Sequence, residues 1–141
     1  MKIKQVLLVE DNEGDIVLTS EAFEECNFKT EIKVARNGKE AITFLFDEYE
    51  NSELPCLILL DINLPLLNGH EVLKKIKENE KTKHIPVAIL TTSSAVSDIN
   101  LAYNNHANCF ITKPADINDF FETINSLGNF WLNTCRLPVL K

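Results

Sequence analysis

The stretch from Leu57 to Leu60 is four consecutive apolar residues, and Asp61 follows it directly. A strand buried on both faces of a parallel sheet has such an uninterrupted apolar run. Open parallel sheets bind ligands in the crevice beyond the carboxyl ends of their strands. The run therefore predicts a central strand with the Asp61 carboxylate at a position suited to chemistry. A lone aspartate after a strand can also be an ordinary turn residue, so the neighbouring strands must decide.

Three other apolar runs, at residues 6–9, 88–90 and 109–111, also lead into polar side chains. Those polar residues are Glu10 and Asp11, Thr91 and Thr92, and Lys113. The carboxyl ends of parallel strands meet at one edge of a sheet, so we expect these groups to gather around Asp61.

The spacing of apolar residues predicts strands and helices in strict alternation. Strands are expected at about 4–9, 31–35, 55–60, 87–90 and 109–112, and helices at about 15–26, after 38, after 69, around 96–103 and at 116–131. Strands joined by helical crossovers are parallel, which predicts a doubly wound α/β domain with a five-stranded parallel sheet and five helices. If the chain reverses direction after the second strand, the strand order is 2-1-3-4-5, as in flavodoxin-like folds.

Several side chains outside this edge are expected to be structural. Asn12 or Asp15 is expected to cap the first helix. The third helix is expected to expose Lys74, Lys75 and Lys77. The histidines lack a partner at ligand spacing and are expected in structural or surface roles: His70, His84 and His106. The cysteines form no C-x-x-C pair and are expected to be buried free thiols: Cys26, Cys56, Cys109 and Cys135.

Composition excludes several classes of protein. The chain has 141 residues, 45% of them apolar, which suits one folded domain. Its net charge of −7 argues against direct binding to nucleic acid, which requires Lys and Arg to neutralise phosphates. No apolar run approaches the roughly 20 residues that span a bilayer. No signal peptide is apparent either, so we expect no membrane association and a cytoplasmic location.

Three carboxylates at one edge are stable only if they are protonated or bridged by a cation. At about 5 Å two carboxylates repel by roughly 3 kcal/mol at an effective dielectric constant of about 20. Glu10, Asp11 and Asp61 offer only oxygen ligands, a set that suits Mg²⁺ and leaves room for a phosphoryl oxygen. Asp61 is then also a candidate nucleophile toward phosphorus, since aspartate can form an acyl phosphate. Lys113 would supply a second cation, and the Thr91 hydroxyl would supply a hydrogen bond.

The four polar segments together resemble the receiver domain of two-component response regulators. They are Val9-Glu10-Asp11, Leu60-Asp61-Ile62-Asn63-Leu64-Pro65, Leu90-Thr91 and Thr112-Lys113-Pro114. The resemblance covers about residues 4–130 and also implies the 2-1-3-4-5 order. The tail from Phe130 to Pro138 is similar to single-domain regulators that serve cyanobacterial and bacterial phytochrome kinases. We therefore expect a receiver domain at 1–131 and a tail at 132–141, with no separate output domain.

The resemblance implies a phosphoacceptor signalling protein rather than a conventional enzyme. Asp61 would accept a phosphoryl group from a phosphohistidine of a sensor histidine kinase, possibly a phytochrome. The implied Mg²⁺ ligands are Glu10, Asp11, Asp61 and the backbone carbonyl of Asn63. Lys113 and Thr91 would bind the phosphoryl oxygens, Thr91 and Phe110 would form the switch, and Pro114 is a candidate for a cis peptide bond.

The resemblance also implies that phosphorylation remodels a face made of the fourth helix, fifth strand and fifth helix. That face would dock a downstream protein or a phosphotransfer partner. The C-terminal end carries more apolar residues than a last helix usually needs, which predicts a homodimer through the same face and the tail. These residues are Phe130, Trp131, Leu132, Leu137, Val139 and Leu140.

Three alternatives remain open from the sequence. An aspartate-nucleophile phosphatase is expected to carry D-x-D, but Asn63 stands at the second position. A flavin- or nucleotide-binding domain would need an anion-binding loop after the first strand, where Glu10 and Asp11 would repel phosphate. A receiver that works as an adaptor without phosphorylation is the third alternative, and phosphorylation by a small acyl phosphate separates it from the main prediction.

Overall fold

The fold is an alternation of strands and helices along the chain. The computed structural model describes residues 3–26, 28–47 and 54–138. Within those ranges the strands are β1 (Lys4–Val9), β2 (Thr30–Ala35), β3 (Leu57–Leu60), β4 (Val87–Thr91) and β5 (Cys109–Thr112). The α-helices in the same ranges are α1 (Glu13–Glu25), α2 (Gly38–Ile42), α3 (Gly69–Glu78), α4 (Val96–Asn104) and α5 (Ile117–Gly128).

The five strands form one parallel sheet in the order β2-β1-β3-β4-β5. Val9 of β1 lies beside Leu60 of β3, and Leu60 lies beside Ile89 of β4. The last residues of β1 and β3 are therefore in register, and β4 continues two residues further, to Thr91. The doubly wound fold and the strand order predicted from the sequence are confirmed, and the chain beyond β1 and β3 meets at one edge.

Each face of the sheet carries its own apolar core. Leu7, Ile58 and Ile89 point to one face, where they belong to a cluster with α2, α3 and α4. Leu8 and Leu59 point to the other face, where α1 and α5 cover them. The alternation along each strand follows from the period of two in β-structure. Burial on both faces explains why the central strands are continuous apolar runs.

Four of the helices begin at a polar capping side chain, as expected for residues that satisfy free N–H groups. Asn12, Asn37, Asn68 and Asp116 each accept a hydrogen bond from the backbone N–H three residues later. Asn12, not Asp15, is thus the cap of α1. Helix α4 differs, because its start at Ala95 has no side-chain cap.

Gly69 allows α3 to begin directly against the chain that follows β3. A Cβ atom there would lie 2.3 Å from the carbonyl oxygen of Asp61 and 2.4 Å from Cα of Ile62. The Gly69 N–H donates to the Ile62 carbonyl at 3.0 Å. The absence of a side chain is what permits this close approach of two backbone segments.

Some features differ from the sequence-based expectations. The second and last helices end in π-helical turns, Thr43–Asp47 and Asn129–Thr134, the latter extending past residue 131. Lys77 is not on an exposed face, because its ammonium group donates to the carbonyls of Lys83 and Ile85. The polar run at 47–53 predicts a solvated loop, of which residues 48–53 lie outside the described part of the chain. None of the described helices combines the length and apolar character needed to cross a bilayer.

Candidate functional site

The two acidic residues that follow β1 and β3 are neighbours because their strands are paired. The Glu10 N–H donates to the Ala35 carbonyl at 2.9 Å, and the Asp61 N–H donates to the Val9 carbonyl at 3.0 Å. Both side chains are buried, with 3% and 6% of their residue surfaces exposed. Burial of two carboxylates this close requires compensation by positive charge or by protons.

Asp11 completes a group of three carboxylates with Glu10 and Asp61. One oxygen from each residue lies within 4.8 Å of the others. Asp11 is exposed, so the group opens to solvent at one side. An all-oxygen set with an open side suits a hard divalent cation that keeps several waters. These three residues can hold a metal ion, in agreement with the geometry expected from the sequence.

Lys113 supplies positive charge from β5. Its Nζ atom lies 2.5 Å from Oε1 of Glu10, 2.7 Å from Oδ2 of Asp15 and 3.1 Å from Oδ2 of Asp61. Only 5% of the Lys113 side chain is exposed. Its backbone N–H donates to the Thr91 carbonyl at 2.6 Å, which fixes the residue just beyond the end of β5. Lys113 therefore links Glu10, which follows β1, with Asp61, which follows β3.

Asp15 is a member of the site that sequence reasoning missed. It lies in the first turn of α1, where its own N–H donates to Oδ1 of the capping residue Asn12 at 3.0 Å. Its carboxylate faces Lys113 instead of capping the helix. The available signal was its position in the first turn of the helix that directly follows Glu10 and Asp11.

Thr91 and Asn63 lie beside Asp61 as expected. Thr91 is fully buried, and its Oγ1 accepts a hydrogen bond from Nδ2 of Asn63 at 3.4 Å. The Asn63 N–H donates to Oδ1 of Asp61 at 2.9 Å. Asp61 is therefore held through one oxygen by a backbone N–H and through the other by Lys113.

Phe110 and Pro114 occupy β5 and the loop after it. Phe110 is partly buried against the core cluster on the side of α3 and α4, and its N–H donates to Oη of Tyr103 at 3.2 Å. The candidate cis bond at Pro114 requires correction, because all peptide bonds in the described ranges are trans, including Lys113–Pro114. The trans form of an X–Pro bond is favoured by about 0.5–1 kcal/mol without any help from the fold.

The pKa shifts in the pocket reflect burial competing with ion pairing. Burial raises the pKa of Glu10 to about 7, and the nearby charge of Asp61 adds to the rise, although the hydrogen bond from Lys113 opposes it. Burial alone would lower the pKa of Lys113, but hydrogen bonds to Asp15 and Glu10 and the charge of Asp61 raise it above its usual value. The pocket therefore favours cations over free carboxylates, and its one ammonium group contacts three acidic side chains.

The histidines and cysteines are mostly as expected. The four cysteines are free and partly buried. His70 is the exception among the histidines, because its Nε2 lies 3.1 Å from Oδ1 of Asp98. The partner is 28 residues away on the next helix, so sequence spacing could not reveal it.

Comparison with known proteins adds independent findings. Residues 6–125 match the family described as response regulator receiver domain. Response regulator Rcp1 of Synechocystis sp. (strain ATCC 27184 / PCC 6803 / Kazusa) is 43% identical over 137 residues, covering 96% of this chain and 93% of Rcp1.

Two solved structures share the fold over nearly the whole chain. The phosphorylated cyanobacterial phytochrome response regulator RcpA is 42% identical with a TM-score of 0.93, covering 98% of this chain and 100% of RcpA. The Mn²⁺-bound form of Rcp1 is 43% identical with a TM-score of 0.91, covering 96% of this chain and 99% of that one. With its acidic crevice and the lysine that follows β5, the chain belongs to the response regulator receiver family of two-component signalling and is related to phytochrome response regulators.

Proposed function

We propose that this protein accepts a phosphoryl group on Asp61 from a phosphohistidine of a sensor histidine kinase, with Mg²⁺ in the acidic crevice. The observation that carries the proposal is the position of Lys113, whose Nζ lies 3.1 Å from Asp61 in the same pocket as the three-carboxylate group. Glu10, Asp11, Asp61 and the Asn63 carbonyl would hold the ion. Mg²⁺ would neutralise charge that develops on the phosphoryl oxygens.

The contacts of Asp61 suit an in-line attack on phosphorus. One carboxylate oxygen forms the new O–P bond while the N–P bond of the phosphohistidine breaks, and its electron pair stays on the imidazole nitrogen, which takes a proton from solvent. The Asn63 N–H orients the carboxylate through Oδ1. The Lys113 ammonium and the Thr91 hydroxyl would bind the transferred phosphoryl oxygens. Positioning and charge neutralisation are the main demands of this reaction.

The output of the phosphorylated state is proposed to be a change of docking surface. Thr91 and Phe110 would act as the switch, with the hydroxyl moving toward the phosphoryl group and the ring rotating into the space released. Three apolar side chains of α4 are already exposed on this side: Val96, Leu101 and Tyr103. Phosphorylation would bias a two-state equilibrium of the α4, β5 and α5 face, which docks a downstream protein or phosphotransfer partner.

A homodimer through that face and the tail is part of the proposal. A groove of about 830 Å³ lies between β5 and α5, with Ile111, Phe130 and Trp131 in its lining. Phe130 is 50% exposed although it is a large aromatic residue. Exposed apolar patches of this kind often mark interfaces. Residues 1–131 would act as the receiver, and residues 132–141 would add to the dimer contact.

The similarity to RcpA supports a phytochrome-type kinase as the phosphoryl donor. Phosphorylation of the kinase and phosphoryl transfer to Asp61 would then both take place in the cytoplasm, where the kinase domain and its ATP are found. Sedimentation of the purified protein with and without phosphorylation tests the dimer, and a monomer at high concentration in both states would contradict it.

The test of phosphoryl acceptance is incubation with Mg²⁺ and acetyl phosphate, followed by mass spectrometry of the intact protein. We expect one acid-stable, base-labile phosphoryl adduct on the wild type and none on Asp61→Asn. Asp47→Asn, a change at an exposed aspartate outside the pocket, is the matched control and should keep the adduct. No adduct on the wild type would favour a phosphorylation-independent adaptor, and steady turnover of ordinary phosphoesters would favour a phosphatase.

A further inference from the structure

The loop between β4 and α4 is held by side chains that lie outside the carboxylate pocket. Helix α4 starts at Ala95, which offers no capping side chain. Ser93 instead orders the turn before the helix, since its Oγ accepts from the Ala95 N–H at 3.2 Å and donates to Oδ2 of Asp98, in the first turn of α4, at 2.6 Å. The first turn of α4 therefore depends on the contact between Ser93 and Asp98.

His70 reaches this contact from α3. Its Nε2 lies 3.1 Å from Oδ1 of Asp98, so both oxygens of the Asp98 carboxylate are engaged. Hydrogen bonds from Ser93 and His70 lower the pKa of Asp98, which keeps it ionised at neutral pH. Only 15% of the His70 side chain is exposed, and Nδ1 is buried with no hydrogen-bond partner in the described part of the chain. The ring is thus held by one hydrogen bond, and the burial of Nδ1 without a partner costs free energy of folding.

Ser93 connects this group to the candidate switch residue. Its N–H donates to Oγ1 of Thr91 at 3.3 Å, and its carbonyl accepts from Oγ1 of Thr112 at 3.0 Å. Nδ2 of Asn63 approaches the same Thr91 oxygen at 3.4 Å. A hydroxyl has one proton and two lone pairs. Because two N–H groups face its lone pairs, the Thr91 hydroxyl keeps its proton free for a further acceptor beside Asp61.

We propose that His70 is a positioning residue for phosphoryl acceptance, acting through Asp98 and Ser93 to orient the Thr91 hydroxyl toward the phosphoryl group on Asp61. This inference rests on the proposed function of Asp61. Without the contact from His70, Asp98 and Ser93 lose their fixed positions, and the Ser93 N–H no longer holds Thr91 in one rotamer. The hydroxyl must then be ordered when the phosphoryl group arrives, and the loss of entropy raises the activation free energy of the transfer.

A purely structural bridge between α3 and α4 would have the same hydrogen bonds but would affect phosphorylation kinetics differently. It would change the thermal midpoint and leave the phosphorylation rate of the folded protein unaltered. A positioning role changes the rate at saturating Mg²⁺ and acetyl phosphate, while the affinity for Mg²⁺ stays the same because no residue of the carboxylate group is altered. The two readouts together separate these possibilities.

The experiment compares His70→Leu with His70→Gln, whose amide N–H can occupy the place of Nε2. His84→Leu, at an exposed histidine, is the matched control. We expect the phosphorylation rate to fall about tenfold in His70→Leu, since one hydrogen bond to a charged group is lost. His70→Gln should recover most of the rate, and His84→Leu should match the wild type. Calorimetric titration should give the same Mg²⁺ affinity in every variant.

A double-mutant cycle with Asp98→Asn completes the test, and the Asp98→Asn single variant alone serves if His70→Leu fails to fold. The double variant should be no slower than the slower single variant, because both changes interrupt one chain of contacts. A wild-type rate in folded His70→Leu or Asp98→Asn, or additive effects, would overturn the inference and leave the proposed function intact. Absence of the adduct on the wild type would instead remove the proposed function and this inference with it.

Discussion

Two lysines lie at opposite ends of the sheet, and each donates hydrogen bonds to three oxygens. Lys113, at the carboxyl end, contacts the carboxylates of Glu10, Asp15 and Asp61. Lys77, at the amino end, contacts the carbonyls of residues 83 and 85 and Oδ1 of Asn108, all of them neutral. The pKa of Lys113 is raised, whereas burial lowers the pKa of Lys77.

The difference shows that the number of hydrogen bonds alone does not set the pKa of an ammonium group that is removed from water. Neutral carbonyls satisfy the donors of Lys77 but do not offset its loss of hydration. The carboxylates around Lys113 satisfy its donors and also offset its loss of hydration. They leave an excess of negative charge in the pocket. The carboxyl end of the sheet is thus suited to a cation and, under the proposed function, to an incoming phosphoryl group, while Lys77 at the amino end holds neutral backbone and amide oxygens together.

The strongest test of this comparison is the loss of each ammonium group in turn. Lys113→Met should slow phosphorylation by acetyl phosphate about 100-fold or more, because a donor aimed at developing charge is removed. Lys77→Met should phosphorylate at the wild-type rate once folded. The rates come from mass spectrometry over time, and equal rates in both variants would contradict the assignment of two roles.

The pH dependence of stability should also distinguish the two ends. Glu10 has a folded-state pKa of about 7, above the ordinary value of 4.5 for a glutamate. A raised pKa means that the folded state binds the extra proton, so this contribution is complete below about pH 4.5 and is lost as pH rises through 7. Without metal, the free energy of unfolding should fall by up to about 3 kcal/mol across this window.

Urea unfolding at several pH values measures that slope. Lys113 and Asp98 do not contribute within the window, because their shifts act above pH 10.5 and below pH 3.8 respectively. Glu10→Gln should flatten the curve, and Mg²⁺ should oppose the loss at pH 7 by binding the deprotonated group. A slope that persists in Glu10→Gln would place the titration elsewhere.

Lys77 at the amino end should matter for stability alone. Lys77→Met keeps an apolar stem of similar length but leaves the carbonyls of Lys83 and Ile85 without their donor. We expect the free energy of unfolding to fall by about 2 kcal/mol, the usual cost of buried unsatisfied groups. Adding Mg²⁺ should shift the wild type and the variant equally. A loss that Mg²⁺ repaired would mean that the two ends of the sheet are coupled.

Asp15 offers the smallest and finest test of the charged pocket. Asp15→Asn removes one of the carboxylates that hold Lys113, and it lowers the negative charge that an incoming phosphoryl group meets. We expect phosphorylation to become about threefold faster, consistent with the modest energy of a partly exposed ion pair. Glu13→Gln, at an exposed acid of the same helix that pairs with Arg36, is the control and should leave the rate unchanged. A slower Asp15→Asn would show that this residue holds Lys113 in its productive position.

The sequence predicted the framework because the central strands leave few alternatives. Continuous apolar runs such as Leu57–Leu60 can be buried only between two layers, and the residues after them must then share an edge. The positions of Glu10, Asp61, Thr91 and Lys113 follow from that geometry. The strand order does not follow from the apolar runs alone. The resemblance to receiver domains also implies it.

The residues that escaped prediction are those whose roles depend on contacts between helices or across the sheet. Asp15 was considered only as a helix cap, yet its side chain turns toward Lys113 on a distant strand. Lys77 has the spacing of a solvent-exposed residue, but the carbonyls before β4 lie within its reach. His70 meets Asp98 only because α3 and α4 pack side by side. Periodicity describes one element at a time and carries no information about such partners.

The glycine at the start of α3 has one further consequence. Position 69 has no room for even a methyl group against the main chain of Asp61 and Ile62. The first residue of α3 therefore packs directly against the main chain that carries Asp61, with no side chain between them. Under the proposed function, a shift of the Asp61 main chain on phosphorylation would have to move the start of α3 with it, because close-packed backbone leaves no free space to absorb the shift.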